Sequence, residues 1–166
     1  MLEPLLDVQR LIEALDDQRV RFVLIGGLAV NVHGSARLTL DFDAVYARSP
    51  ENLAAIVAAL APLGPQLRTA HGPVPFRWDT RALKSGLNFT LVTDAGSVDL
   101  LGEAAGVTSF EDLWANASEV PLYGRTVRVA SIRDLIAMKK AAGRGKDLLD
   151  LHELEQLERL HAEPED

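Results

Sequence analysis

Apolar residues recur along this chain in two rhythms, and the switches between them mark out its elements. Leu5, Val8, Leu11, Ile12 and Leu15 fall three and four apart, which predicts an amphipathic helix over 4–18. Residues 20–25 (VRFVLI) are apolar and β-rich, are closed by Gly26-Gly27, and predict a strand. Residues 28–33 fit one or two helical turns, and 38–46 a second strand. Ser49-Pro50-Glu51 starts a helix: a capping serine, proline at the first helical position, an acid in the first turn. Leu53, Ile56, Val57 and Leu60 supply its apolar side. Residues 64–78 contain Gly64, Pro65, Gly72, Pro73 and Pro75 and read as irregular.

Further along, Asp79 is placed to cap a short helix ending near Gly86. Residues 88–94 and 97–101 flank Ala95-Gly96 as a β-hairpin. Ser109 and Asp112 have capping-box spacing for a helix through Asn116, and residues 120–129 read as a second hairpin around Gly124. Ser131 and Asp134 repeat the box and open a helix to about Ala142, broken by Gly143 and Gly145. A last helix over 146–161 carries Leu148, Leu151, Leu154 and Leu157 along one side. The expected architecture is α/β (α+β): a mixed sheet of about five strands packed with helices. No repeat or linker divides the chain, so residues 1–166 are expected to form a single domain.

Composition narrows the chemistry. There is no cysteine, which excludes disulfides, cysteine–zinc sites and a thiol nucleophile, and the four histidines show no metal spacing. The net charge of −7 weighs against a broad non-specific nucleic-acid surface, though not against a local basic site. The acids gather at the ends; the first 17 residues hold five of them and one arginine. No basic leader and no apolar run of about 18 residues is present, so a cytoplasmic protein without a membrane partner is the expectation. Aromatic residues make up 5%, leaving little for base-stacking platforms; Trp78, Trp114 and Tyr123 read as core or rim.

Against that background two acids stand out. Alternation along the second strand puts Asp41 and Asp43 on one face, with Arg37 and Thr39 joining them if the strand reaches back that far. Leu38, Leu40 and Phe42 take the other face and can enter the core. Two carboxylates so close repel unless a positive charge lies between them, and a hard cation such as Mg²⁺ takes carboxylate oxygens. The Gly26-Gly27 turn between strand and helix lets backbone approach a ligand and presents N–H groups to phosphate. Two-metal phosphoryl transfer calls for a third carboxylate, and Asp99, in the middle of a predicted strand, is the best candidate.

These motifs, in this order, resemble the nucleotidyltransferase superfamily that includes DNA polymerase β-like enzymes. Gly26-Gly27 is followed by thirteen residues, Asp41-Phe-Asp43, and later Asp99. The chain is closer still to small bacterial stand-alone members such as AbiEii-type toxins, through Gly26-Gly27-Leu-Ala-Val30, His33-Gly34 and Arg37-Leu-Thr39-Leu-Asp41-Phe-Asp43. Met138-Lys139 and Arg144-Gly-Lys146-Asp147-Leu-Leu-Asp150-Leu151 continue the likeness, which spans about 20–152.

The resemblance implies a minimal palm that transfers a nucleoside monophosphate from an NTP to an acceptor hydroxyl, releasing pyrophosphate. It implies that Asp41, Asp43 and Asp99 hold Mg²⁺ or Mn²⁺, with Asp99 alternatively acting as base. Gly26 and Gly27 would face the β- and γ-phosphates, and Lys139 and Lys146 would supply positive charge. The second glycine stands where many members have serine, so a side-chain hydroxyl contact to phosphate is absent unless Ser35 supplies one. Arg37, Thr39 and Asp147 complete the nucleotide-binding candidates. Arg37 could equally pair with an aspartate, and Asp147 could be a first-turn acid. Ala44 departs from the family, where a bulkier aliphatic is commoner. The acceptor implied is RNA, such as a tRNA 3′ end, in a toxin–antitoxin pair. Alternatives are a small antibiotic-like acceptor, or a non-catalytic nucleotide- or partner-binding module of the same fold.

Overall fold

The computed structural model describes residues 3–143 and 147–162, and the side chain of Asp147 is not among the parts described. Helix α1 (Val8–Asp17) begins later than the apolar spacing predicts. The Asp7 side chain caps it by accepting from the Arg10 N–H, while the Asp7 N–H donates to the Ala95 carbonyl at 2.9 Å. Leu5 therefore lies outside the helix and is exposed, and Leu11, Ile12 and Leu15 carry the buried face. Strand β1 (Phe22–Ile25) runs straight into helix α2 (Gly26–Val32), and β2 is Asp41–Tyr46.

Helix α3 (Pro50–Leu60), capped by Ser49, and α4 (Thr80–Ser85), capped by Asp79, follow the sequence signals. So do the hairpin of β5 (Asn88–Thr93) and β6 (Gly96–Leu101) and helix α5 (Phe110–Asn116). The second hairpin, β7 (Ser118–Leu122) and β8 (Arg125–Val129), and helix α6 (Ile132–Ala142) complete the agreement. Gly143 ends α6 in the left-handed region, and α7 covers Asp147–Ala162.

Two departures matter for function. The stretch expected to be irregular contains strands β3 (Gln66–Thr69) and β4 (Gly72–Val74), so the sheet has eight strands, not about five. Prolines fit there because β4 is an edge strand, where a missing N–H breaks no interior ladder. The second departure is that β2 starts at Asp41, not at residue 38. β1 ends opposite Asp43 and β6 pairs only from Asp41 onward, so nothing is available to pair with residues 38–40. Leu38 and Leu40 are consequently exposed, at 88% and 71%, and only Phe42 of that trio enters the core.

The sheet order is β4-β3-β5-β6-β2-β1-β8-β7. β2 runs parallel to β6 and β1 parallel to β8; the other pairs are antiparallel. Phe42, Ala44, Leu91, Val98, Ile56 and Leu60 are among the residues that fill the core. Asn52 ties α3 to the sheet: it accepts from the Arg21 N–H and donates to the Arg21 and Ala47 carbonyls. No described helix is long and apolar enough to cross a membrane.

Candidate active site

The register of β2 and β6 sets the site. Asp43 lies directly opposite Asp99 on the parallel neighbour, and Asp41 opposite Ser97. Because side chains alternate, Asp41, Asp43 and Asp99 share the face opposite Phe42 and Val98. The chain leaves β1 at Ile25, opposite Asp43, and turns into α2 at Gly26 with φ +66°. A Cβ at Gly26 would collide with the Asp43 carboxylate, and one at Gly27 would come within 2.8 Å of Thr39 Oγ1. The two glycines thus let backbone and carboxylate occupy adjoining space.

The three acids differ in their surroundings. Asp43 Oδ1 is buried and has no hydrogen-bond partner among the described residues. Burial, then the charges of Asp99 and Asp41, pushes the Asp43 carboxyl up to about 7. Asp41 and Asp99 are instead held by Arg68 of β3, whose guanidinium lies 3.2 Å from Asp41 Oδ1 and 2.9 Å from Asp99 Oδ1. Sequence reading missed Arg68, because its strand was hidden among prolines. In the folded sheet Leu67 pairs with Leu91 on the core side, which turns Arg68 toward the acids.

Two cavities meet at this point. One of about 420 Å³ is lined by Asp43, Asp99, Thr90 and Lys139 on its polar side and by Leu101, Met138 and others on its apolar side. The other, about 110 Å³, is lined by Gly26, Gly27, Ser35, Arg37, Thr39 and Lys139, with Asp150 beside them. Lys139 reaches both, whereas its neighbour Lys140 is exposed. Lys139 Nζ lies 3.2 Å from Asp150 Oδ2. Arg37 pairs with Asp150 and lies 3.5 Å from Glu153, so it is held by α7 and not by the strand aspartates. Thr39 Oγ1 donates to the Asp41 carbonyl at 3.3 Å, and Ser35 Oγ accepts from the Arg37 N–H. His33 is structural: its Nε2 lies 2.8 Å from the Ala130 carbonyl. Lys146 and Arg144 lie outside the described residues, and Asp147 is placed only by its backbone at the start of α7.

Nine of the candidates therefore surround one place: Gly26, Gly27, Ser35, Arg37, Thr39, Asp41, Asp43, Asp99 and Lys139. The sequence model of the nucleotidyl transferase AbiEii toxin family, of type IV TA systems, matches residues 10–165. The chain belongs to this family. It is accordingly a nucleotidyltransferase, and the matched range includes the glycine turn and the strand acids.

Solved structures agree in fold. The chain aligns with lincosamide antibiotic adenylyltransferase LnuA, lincomycin-bound, at a TM-score of 0.60 and 16% identity, covering 92% of this chain and 99% of that one. It aligns with ANT(2")-Ia, in complex with adenylyl-2"-tobramycin, at 0.56 and 16% identity, covering 93% and 92%. No curated protein matches the sequence significantly.

Among the described residues, no group of three or more acids or histidines is arranged as a preformed metal cluster. The donor set nevertheless suits a hard divalent cation. Three carboxylates come from adjacent strands, and Asp43 has a buried oxygen that meets no donor among the described residues.

Proposed function

We propose that this AbiEii-family protein transfers a nucleoside monophosphate from an NTP to a hydroxyl of RNA, such as a tRNA 3′ end. In this reading it works as a single-domain cytoplasmic toxin paired with an antitoxin. The observation that carries the catalytic part is the carboxylate set beside the glycine turn, with Asp43 half-buried and its buried Oδ1 lacking a donor among the described residues. The family's description as a toxin of a TA system supports the biological part.

Asp41, Asp43 and Asp99 are the residues that would hold Mg²⁺ or Mn²⁺. Such an ion offsets phosphate charge and favours ionisation of an attacking hydroxyl. The chain's own groups divide the remaining work. The backbone at Gly26 and Gly27 faces the smaller cavity, which with Ser35, Arg37 and Thr39 would seat the β- and γ-phosphates. Lys139, reaching both cavities, would sit beside the bond that breaks and stabilise charge on the departing pyrophosphate. Asp99 would take the proton of the acceptor hydroxyl as its oxygen bonds to the α-phosphorus and pyrophosphate leaves. Lys146 and Asp147, in the same motif as Asp150, are assigned to the triphosphate from the sequence.

A small-molecule acceptor is the second reading. The larger cavity, at about 420 Å³, has the size of sites that bury drug-like ligands. The two adenylyltransferases of similar fold are bound to an antibiotic or its adenylylated product. Offering α-labelled NTPs, Mg²⁺, total RNA and representative aminoglycosides or lincosamides in one set of reactions separates the two. Label in RNA supports the first reading and label in an antibiotic the second. If the protein binds no NTP in calorimetry with metal present, both fail.

A further inference from the structure

The three acids are balanced unevenly. Arg68 spans two of them and leaves Asp43 Oδ1 with no hydrogen-bond partner among the described residues. A guanidinium is suited to such a bridge because its planar fork offers donors in two directions at once. Arg68 is not part of the β2–β6 pair that carries the acids. It stands on β3, which is separated from β6 by β5. It belongs to a hairpin with the edge strand β4, at the margin of the sheet, and its side chain is 24% exposed. A long side chain on a strand next to the sheet edge, partly open to solvent, is one that a competing cation can displace.

We propose that Arg68 is a built-in counter-ion of the carboxylate site, bridging Asp41 and Asp99 when no metal is bound and giving way when a divalent cation enters, so that it sets the metal affinity of the enzyme. The inference rests on the metal-dependent reading of the site given above. Its logic is one of competition for the same oxygens. Arg68 uses Oδ1 of both Asp41 and Asp99, and a small hard cation draws carboxylate oxygens to about 2.1 Å. Two like charges a few ångströms apart are destabilising without a cation, so the bridge stabilises the metal-free state. Whatever stabilises that state lowers affinity for the ligand that must replace it, by the same factor. On release, the guanidinium remains tethered at the rim of the site, where an anionic substrate approaches.

The test compares wild type with R68Q and R68K, each stripped of metal. Mn²⁺ binding is followed by paramagnetic resonance of the free ion, and thermal unfolding is measured in chelator and in excess Mn²⁺. R68Q is expected to bind Mn²⁺ roughly fivefold or more tightly than wild type. In chelator it should unfold at a lower temperature than wild type, and excess Mn²⁺ should close that gap. R68K keeps the charge but lacks the fork, so it should fall between the two in both measurements. Wild type that binds Mn²⁺ alongside an R68Q protein of equal or weaker affinity overturns the counter-ion role while leaving the metal site standing. R68K indistinguishable from wild type overturns the bridge. No Mn²⁺ binding by any of the three proteins overturns both this inference and the metal-dependent reading.

Discussion

Asp43 concentrates the electrostatic strain of this molecule in one side chain. It is an acid packed against a glycine, facing a second acid across two parallel strands. Its carboxyl is raised from 3.8 to about 7, first by burial and then by Asp99 and Asp41. A folded-state value above the unfolded one means that the native protein binds the extra proton. Stability of the metal-free protein should therefore be greatest below about pH 4, as far as this group is concerned. It should fall as pH rises through 7 and level off above that. Asp43→Asn should remove that slope in denaturant titrations run in chelator between pH 5 and 8; a slope that survives would place its origin elsewhere. Gly26 is the companion constraint. Gly26→Ala forces a side chain into left-handed backbone, a penalty of about 1–2 kcal/mol, and pushes on the Asp43 carboxylate. Both a lower unfolding midpoint and weakened NTP binding are expected, whereas a wild-type midpoint would contradict the packing described. Among the lysines, Lys139→Ala should lower kcat/KM by roughly a hundredfold, as for loss of a group aimed at developing charge. Lys140→Ala, on the exposed neighbour, should change it by less than about twofold. Equal effects would contradict the placement of Lys139 between the two cavities.

At the scale of elements, the parts that carry local signals were legible and those that depend on distant partners were not. The caps at Ser49, Asp79, Ser109 and Ser131 each accept the hydrogen bond their positions predict, since capping needs only residues three apart. β3 and β4 exist because β5 offers a free edge, and nothing within residues 64–78 announces that edge. The early end of β2 pairing has the same origin: residues 38–40 alternate like a strand but have no neighbour to pair with. Asn52 is another long-range feature. It is 4% exposed, and its amide serves both Arg21 backbone groups and the Ala47 carbonyl. Asn52→Ala would leave those groups unpaired in the interior, and a loss of at least about 2 kcal/mol is expected in equilibrium unfolding. A loss below about 0.5 kcal/mol would mean that water replaces the amide there.

For the whole molecule, the sheet order explains why a site written as scattered motifs is a single place. β1, β2 and β6 are neighbours at its centre, so the glycine turn and the three acids meet, although Asp99 is 56 positions beyond Asp43 in the chain. α6 brings Lys139, and α7 brings Asp150 to Lys139 and Arg37. The acids and glycines were readable from the sequence because a Gly-Gly turn and alternating carboxylates on one strand are local patterns. The balance of charge among them was not, because Arg68 comes from a strand that only the folded sheet creates. The central claim is that these carboxylates catalyse metal-dependent nucleotidyl transfer. Its most direct test is label transfer from α-labelled NTP to total RNA, by wild type and Asp43→Asn, with Mg²⁺ or with chelator. The account predicts labelled RNA from wild type with Mg²⁺ alone, and none above background from the variant or in chelator. Equal labelling by the variant, or labelling that persists in chelator, would contradict it.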